Sequence, residues 1–277
     1  MSILLTPDQL ASAIEGGESV RILDVRWRLD RPDGRPAYLE GHLPGAVYVD
    51  LDHELADHGR PATEGRHPLP DAAALQEAAR RWGIHAGDTV VVYDDLKNLS
   101  SARAWWLLTD AGLDVRVLDG ALDGWITAGL PLEQGEVEVA RGDVELHPGS
   151  LGALTIDDAA SFPARGALLD ARAGERYRGE VEPIDPRPGH IPGALSAPTT
   201  ENVDADGRLL DPAALRERFS AVGVDLDGEV AVYCGSGVTA AHQILALKVA
   251  GIDAALFPGS WSQWANSDRP AAVGGTP

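Results

Sequence analysis

The sequence predicts an α/β protein made of two tandem units, each a mainly parallel sheet flanked by helices. Two observations carry this expectation. First, the chain repeats itself in order. "ILDVR" at 22–26 returns as "LLDAR" at 168–172, and "GHLPGAVYVD" at 41–50 as "GHIPGALSAP" at 189–198. "VVVYDD" at 90–95 returns as "VAVYCG" at 230–235, and "LDGALDGW" at 118–125 as "FPGSWSQW" at 257–264. The offsets of 146, 148, 140 and 139 drift as loop insertions would make them, and the period is too long for a solenoid. Second, short apolar runs alternate with helical stretches, the pattern of strands covered on both faces.

Each element has its own signal. The start, "MSILLTPDQLASAIEGG", reads as a strand or turn and then a short helix; lacking a basic leader and a long apolar run, it is not expected to be a signal peptide. "SVRILDV" and "TVVVYD" are continuous apolar runs, as buried strands should be. "PDAAALQEAARRWGI" has Pro and Asp at its start, apolar residues at helical spacing and Gly83 near its end; "DPAALRERFSAVGV" is its counterpart. "SSARAWWLLTDAG" and "GVTAAHQILALKVAG" are further helices that each end in glycine. The stretch "LPLEQGEVEVARGDVELHPGS" has little periodicity. The expected division is a first domain at 1–135, an extended linker at 136–152 that packs along both domains, and a second domain at 153–277.

Composition narrows the functions. A chain of 277 residues with 44% hydrophobic residues can build two ordinary cores. Lys and Arg total 23 against 43 Asp and Glu, so the net charge of −20 argues against nucleic-acid and anionic-membrane partners. Any anion site must be assembled locally. No apolar run approaches the ~18 residues of a membrane span. One cysteine cannot form an internal disulfide, and a cytoplasmic, reducing location is expected.

That cysteine, Cys234, lies in "EVAVYCGSGVTAAHQIL", where a strand turns into a helix. Gly235 and Gly237 let the chain curl tightly, so that successive N–H groups and the helix start near Val238 or Thr239 form an anion cradle. A thiolate or a persulfide is stabilised there. A cysteine that merely packed would need neither the glycines nor the helix start. The first copy has Asp94 at the equivalent position and lacks the glycines, which implies that the second unit does the chemistry.

Two tandem units with "GH[LI]PGA" segments and a second-unit "CGSGVTA" loop resemble the two-domain rhodanese superfamily, and among its branches the 3-mercaptopyruvate sulfurtransferases. The resemblance spans nearly the whole chain. It implies a non-catalytic first domain, a catalytic second domain and a Cys234 nucleophile, with Gly235, Gly237, Val238 and Thr239 lining the substrate cradle. Ser236 would work with His67 and Asp52 in a relay from carboxylate to imidazole to hydroxyl; His53 and His58 are assigned no role. Arg176 and Arg187 would hold the substrate carboxylate, with Arg178 as an alternative to Arg187 because the spacing before "GHIPGA" departs from the family's. The implied reaction moves sulfane sulfur from 3-mercaptopyruvate to a thiol, a thioredoxin-like protein or cyanide, releasing pyruvate, without metal or organic cofactor. Thiosulfate:cyanide sulfurtransfer is the alternative donor chemistry, and a persulfide carrier without turnover is the alternative class. Gly235 and Ser236 stand where thiosulfate-using relatives carry basic residues, which favours a monoanionic donor. Ala240 stands where a cysteine phosphatase needs arginine. His42 and His190 occur in both copies and are expected to be structural, and Trp105, Trp106, Trp125, Trp261 and Trp264 to be packing residues.

Overall fold

The computed structural model describes residues 2–277. In the first unit a parallel sheet has the order β1-β5-β4-β2-β3, from β1 (Leu4–Leu5), β2 (Val20–Asp24), β3 (Val47–Tyr48), β4 (Thr89–Tyr93) and β5 (Val115–Leu118). Its helices are α1 (Pro7–Glu15), α2 (Arg35–Glu40), α3 (Leu51–Glu54), α4 (Ala72–Arg81), α5 (Ser101–Asp110) and α6 (Ala121–Thr127). In the second unit a parallel sheet has the order β7-β6-β8-β9, from β6 (Ala167–Asp170), β7 (Leu195–Ser196), β8 (Val230–Tyr233) and β9 (Ala255–Leu256). Its helices are α7 (Ile156–Ser161), α8 (Gly174–Tyr177), α9 (Pro212–Ala221), α10 (Thr239–Val249) and α11 (Ser260–Ala265). The strand orders coincide, with a parallel bridge from Ala153 to Leu256 standing where the first unit has β1. Among the described residues no helix is long and apolar enough to cross a membrane.

The helices begin where their capping residues stand. The Asp71 carboxylate accepts from Ala73 N–H at 2.8 Å at the start of α4, and Asp211 does the same for Ala213 and Ala214 before Pro212 of α9. Each unit closes around its own aromatic core: Trp125 with Leu10, Val91 and Tyr93 in the first, Trp261 and Trp264 with Phe162, Tyr233 and Phe257 in the second.

The duplication extends to buried polar detail. His42 Nδ1 donates to Tyr38 O at 2.9 Å and stacks on the Tyr38 ring; His190 Nδ1 donates to Tyr177 O at 2.8 Å and stacks on Tyr177. Both histidines are therefore turn fasteners. Asp24 pairs with Arg26 at 2.7 Å and Asp170 with Arg172 at 2.6 Å, each pair buried at a strand end. Tyr93 and Tyr233 complete the sets, accepting from Leu43 N–H and Ile191 N–H, and burial beside a carboxylate pushes both phenols well up.

The compact units do not coincide with the expected domain limits. Residues 58–69 belong to the second unit and 203–209 to the first. The segment expected to run along both domains belongs to the first as far as Ser150. There Gly142 N–H donates to Arg80 O, Val144 N–H to Ile84 O, and Val144 O accepts from Gln76 Nε2 and Arg80 Nε. Backbone acceptors at Ile84 and at Arg80, which also takes Gly83 N–H, give an irregular segment partners there.

The turn after β4 holds its own anion. One carboxylate oxygen of buried Asp94 accepts from Leu96 and Asn98 N–H, and the other from Ser100 and Ser101 N–H, at 2.7–2.8 Å. Burial pushes the Asp94 carboxyl up while these four donors pull it down. Asp94→Ala would strand the four amides and should cost about 3–5 kcal/mol. Asp95→Ala breaks an ion pair with half-exposed Arg31 and should cost less than about 1 kcal/mol. Thermal unfolding of the two variants tests the contrast, and equal melting temperatures would contradict it.

Candidate active site

β8 is buried along its length and lies between β6 and β9. It carries Cys234 to the carboxyl end of the sheet, where parallel sheets bind ligands. The loop is held from α11: Trp261 N–H donates to Cys234 O at 2.9 Å, Ser262 N–H to Gly235 O at 2.8 Å, and Cys234 N–H to Ser260 Oγ at 3.1 Å. Gly237 has φ +82°, a region glycine enters without steric cost, and its N–H turns back onto Cys234 Sγ at 3.1 Å. α10 begins at Thr239, and among the described residues no side chain caps its first turn, so its amides and dipole also face the loop. Val238 is buried and Thr239 half-buried; Cys234 is 1% exposed.

Ser236 Oγ lies 2.8 Å from His67 Nδ1, and both side chains are buried. The hydroxyl two residues after Cys234 thus has an imidazole within proton-transfer reach. His67 sits on the 58–69 segment, which is part of the second unit. His58 packs edge-on against His67, ring centroids 5.5 Å apart. Asp52 is half-buried on α3 and belongs to the first unit.

The arginines fall differently from expectation. Arg176, on α8, bonds Glu182 Oε1 at 2.6 Å and Asp185 Oδ2 at 3.3 Å, and its Nη1 would lie 3.4 Å from a methyl placed on Gly235. It faces the cysteine loop. Arg187 does not. Its guanidinium donates to four carbonyls, of Trp264, Ala265, Ser267 and Arg269, at 2.7–3.0 Å. Every nitrogen is committed, so its assignment as a carboxylate ligand is corrected to that of a clamp on the segment after α11. The alternative, Arg178, pairs with Glu180 on an exposed surface. Arg66 also faces the loop: Nη2 would be 3.3 Å from the same Gly235 methyl, and Nη1 bonds Asp185 Oδ1 at 2.5 Å. A methyl at 235 would thus stand close to two guanidinium groups. Asp185 is buried, which raises its carboxyl pKa, although Arg66 and Arg176 oppose the shift. Arg66 escaped the sequence reading although it immediately precedes His67, so that any fold bringing His67 to Ser236 brings Arg66 along. The cations absent from the positions after Cys234 arrive from elsewhere in the chain.

The rhodanese-like domain profile matches twice, over residues 6–128 and 155–267. The chain belongs to the rhodanese family. It is 51% identical over 278 residues to a Mycobacterium tuberculosis protein, SseB, assigned as a thiosulfate sulfurtransferase, across 98% of this chain and 96% of that one. It is 45% identical over 282 residues to a Pseudomonas aeruginosa protein assigned as a 3-mercaptopyruvate sulfurtransferase, across 98% of each. The solved structure of SseA from Escherichia coli, described as a 3-mercaptopyruvate sulfotransferase of the "Rhodanese" fold, superposes with a TM-score of 0.84 at 35% identity, covering 94% of this chain and 99% of that one. Sulfur transfer is the activity class these relatives share, and this chain is an enzyme of that class.

Arg187→Ala removes donors from four carbonyls and should lower the melting temperature by several degrees, at about 2–4 °C per kcal/mol. kcat/KM per folded molecule should change less than about threefold, within what surface-independent sites add. A loss of kcat/KM as large as that of Arg176→Ala would restore Arg187 to the donor site.

Proposed function

We propose that the protein transfers sulfane sulfur from 3-mercaptopyruvate through a Cys234 persulfide. The observation that carries this reading is the convergence on one loop of Cys234 Sγ, the Ser236–His67 pair at 2.8 Å and the Arg176 guanidinium. The Cys234 thiolate attacks the donor's thiol sulfur. A sulfur–sulfur bond forms, the carbon–sulfur bond breaks, and its electron pair passes to the enolate of pyruvate. The donor's thiol proton balances the proton gained at carbon, with Ser236 and His67 as its path. The Gly237 amide and the α10 N-terminus hold the anionic sulfur throughout. An acceptor thiol, for instance of a thioredoxin-like protein, or cyanide then attacks the outer sulfur and releases the Cys234 thiolate. A reducing, cytoplasmic setting suits a free thiol in this role, and the reaction as written needs no metal or organic cofactor. Asp52 is the expected orienting carboxylate for His67, with Val238 and Thr239 contributing backbone to the cradle.

Thiosulfate is the second reading, and a specific feature favours it: two guanidinium groups, not one, approach Gly235. Measuring kcat/KM for both donors on one preparation decides between them, and the higher value is expected for 3-mercaptopyruvate. Cys234→Ser should abolish pyruvate release, a loss of at least roughly a thousandfold; retained release would sink the mechanism. Ser236→Ala should lower kcat by roughly a hundredfold with a smaller change in KM. A Cys234 persulfide seen by mass spectrometry without pyruvate release would make the chain a sulfur carrier instead.

A further inference from the structure

Two guanidinium groups converge above Gly235, and one carboxylate joins them. Asp185 takes Arg66 Nη1 on one oxygen at 2.5 Å and Arg176 Nη2 on the other at 3.3 Å. The side chain of Asp185 is 3% exposed, so bulk water does little to screen it. Donors remain open on the loop side. Among the described residues, buried Arg66 Nε meets no hydrogen-bond partner, and the Arg66 and Arg176 nitrogens nearest Gly235 are not those bonded to Asp185. A cavity of about 270 Å³, with Arg66, Ile184, Asp185, Ser262 and Asn266 among its walls, adjoins the loop through Ser262, whose N–H donates to Gly235 O.

Charge counting gives these contacts a meaning. The linked network around the loop contains Arg66, Arg172 and Arg176 against Asp170, Glu182 and Asp185. Three positive groups face three negative ones, in a chain whose net charge is −20. The paired side chains therefore offer directed N–H donors with no net charge of their own. A single carboxylate can satisfy such donors bidentately. A dianion gains the same hydrogen bonds but meets a second increment of repulsion from Asp185.

We infer that Arg66 is the second anion ligand of the donor site and that Asp185 is a built-in counter-charge that sets its preference for a singly charged donor. This rests on the sulfur-transfer reading for the identity of the donors, though not for the binding of anions. Removing one charge at contact distance should shift the discrimination between dianion and monoanion roughly ten- to a hundredfold at a partly screened site.

The test uses the full chain. In Asp185→Asn, the ratio of kcat/KM for thiosulfate (sulfite release with cyanide as acceptor) to that for 3-mercaptopyruvate (pyruvate release) should rise by that factor. Arg66→Gln should lower kcat/KM for both donors, thiosulfate more, with partial recovery in Arg66→Lys. The same substitutions in a Cys234→Ser background, titrated calorimetrically with pyruvate and with thiosulfate, report binding without turnover and should show the same ratio. An unchanged ratio in folded Asp185→Asn, or unchanged kinetics and binding in Arg66→Gln, would overturn the inference. If the wild type turns over neither donor while the binding ratio still moves, the anion site stands and the sulfur-transfer reading falls.

Discussion

The buried ion pair between Asp170 and Arg172 fixes the rest of the second unit. Withdrawing two charges from water costs several kcal/mol per ion, and this is offset only when every donor and acceptor finds a partner. Here they do. Arg172 grips Asp170 with Nε and Nη2, gives Nη2 also to Gly189 O and Nη1 to Glu182, and lies over the Trp261 ring at 4.7 Å. The end of β6, the turn before the second "GHIPGA" segment and the helix behind the cysteine loop are thereby tied to one guanidinium. Glu182 passes the constraint on, because its other oxygen holds Arg176. The charge above Gly235 is thus positioned by an electrostatic chain that starts in the core. Removing one member would leave a buried charge unmatched, at about 3–5 kcal/mol.

The first unit shows the same framework with different use. Asp24, Arg26 and Tyr93 repeat the pair and its tyrosine, and Arg26 likewise reaches the carbonyl of the glycine before the histidine, Gly41. What differs is the turn that follows the central strand. In the first unit Asp94 closes it by filling four amides with its own carboxylate; in the second, Gly237 opens it and turns its amide toward sulfur. The two copies preserve one way of placing backbone donors at a strand end, turned in one to a carboxylate of the same turn and in the other to the Cys234 sulfur.

Much of this was legible in the sequence because it depends on local patterns. Asp71 and Asp211 announce their helices through capping, the apolar runs announce β2 and β4, and Cys234 followed by Gly-Ser-Gly announces a cradle. Asp94 was recognisable as the counterpart of Cys234 from the repeat alone. The arginines were not legible, since a cation's role depends on which acceptors lie at the end of a long side chain. Arg187 stands in a sequence context that suits a ligand, yet four carbonyls near the end of α11 capture it. Arg66 carries no motif of its own. Segment 136–152 was read as a linker packed along both domains because nothing in its composition reports the carbonyls of Arg80 and Ile84 that its Gly142 and Val144 amides meet.

Residues 58–69 lie in the sequence of the first repeat and yet belong to the second compact unit. The duplicated unit and the working unit are therefore not the same object. A gene fragment starting at the second repeat would encode Cys234 and its loop amides, but neither the imidazole that meets Ser236 nor the guanidinium that shares Asp185. Recombination that separated the copies, or fused the second to another partner, would carry off the Cys234 loop without His67 and Arg66. Linkage of the two halves in one reading frame thus follows from where twelve residues fold.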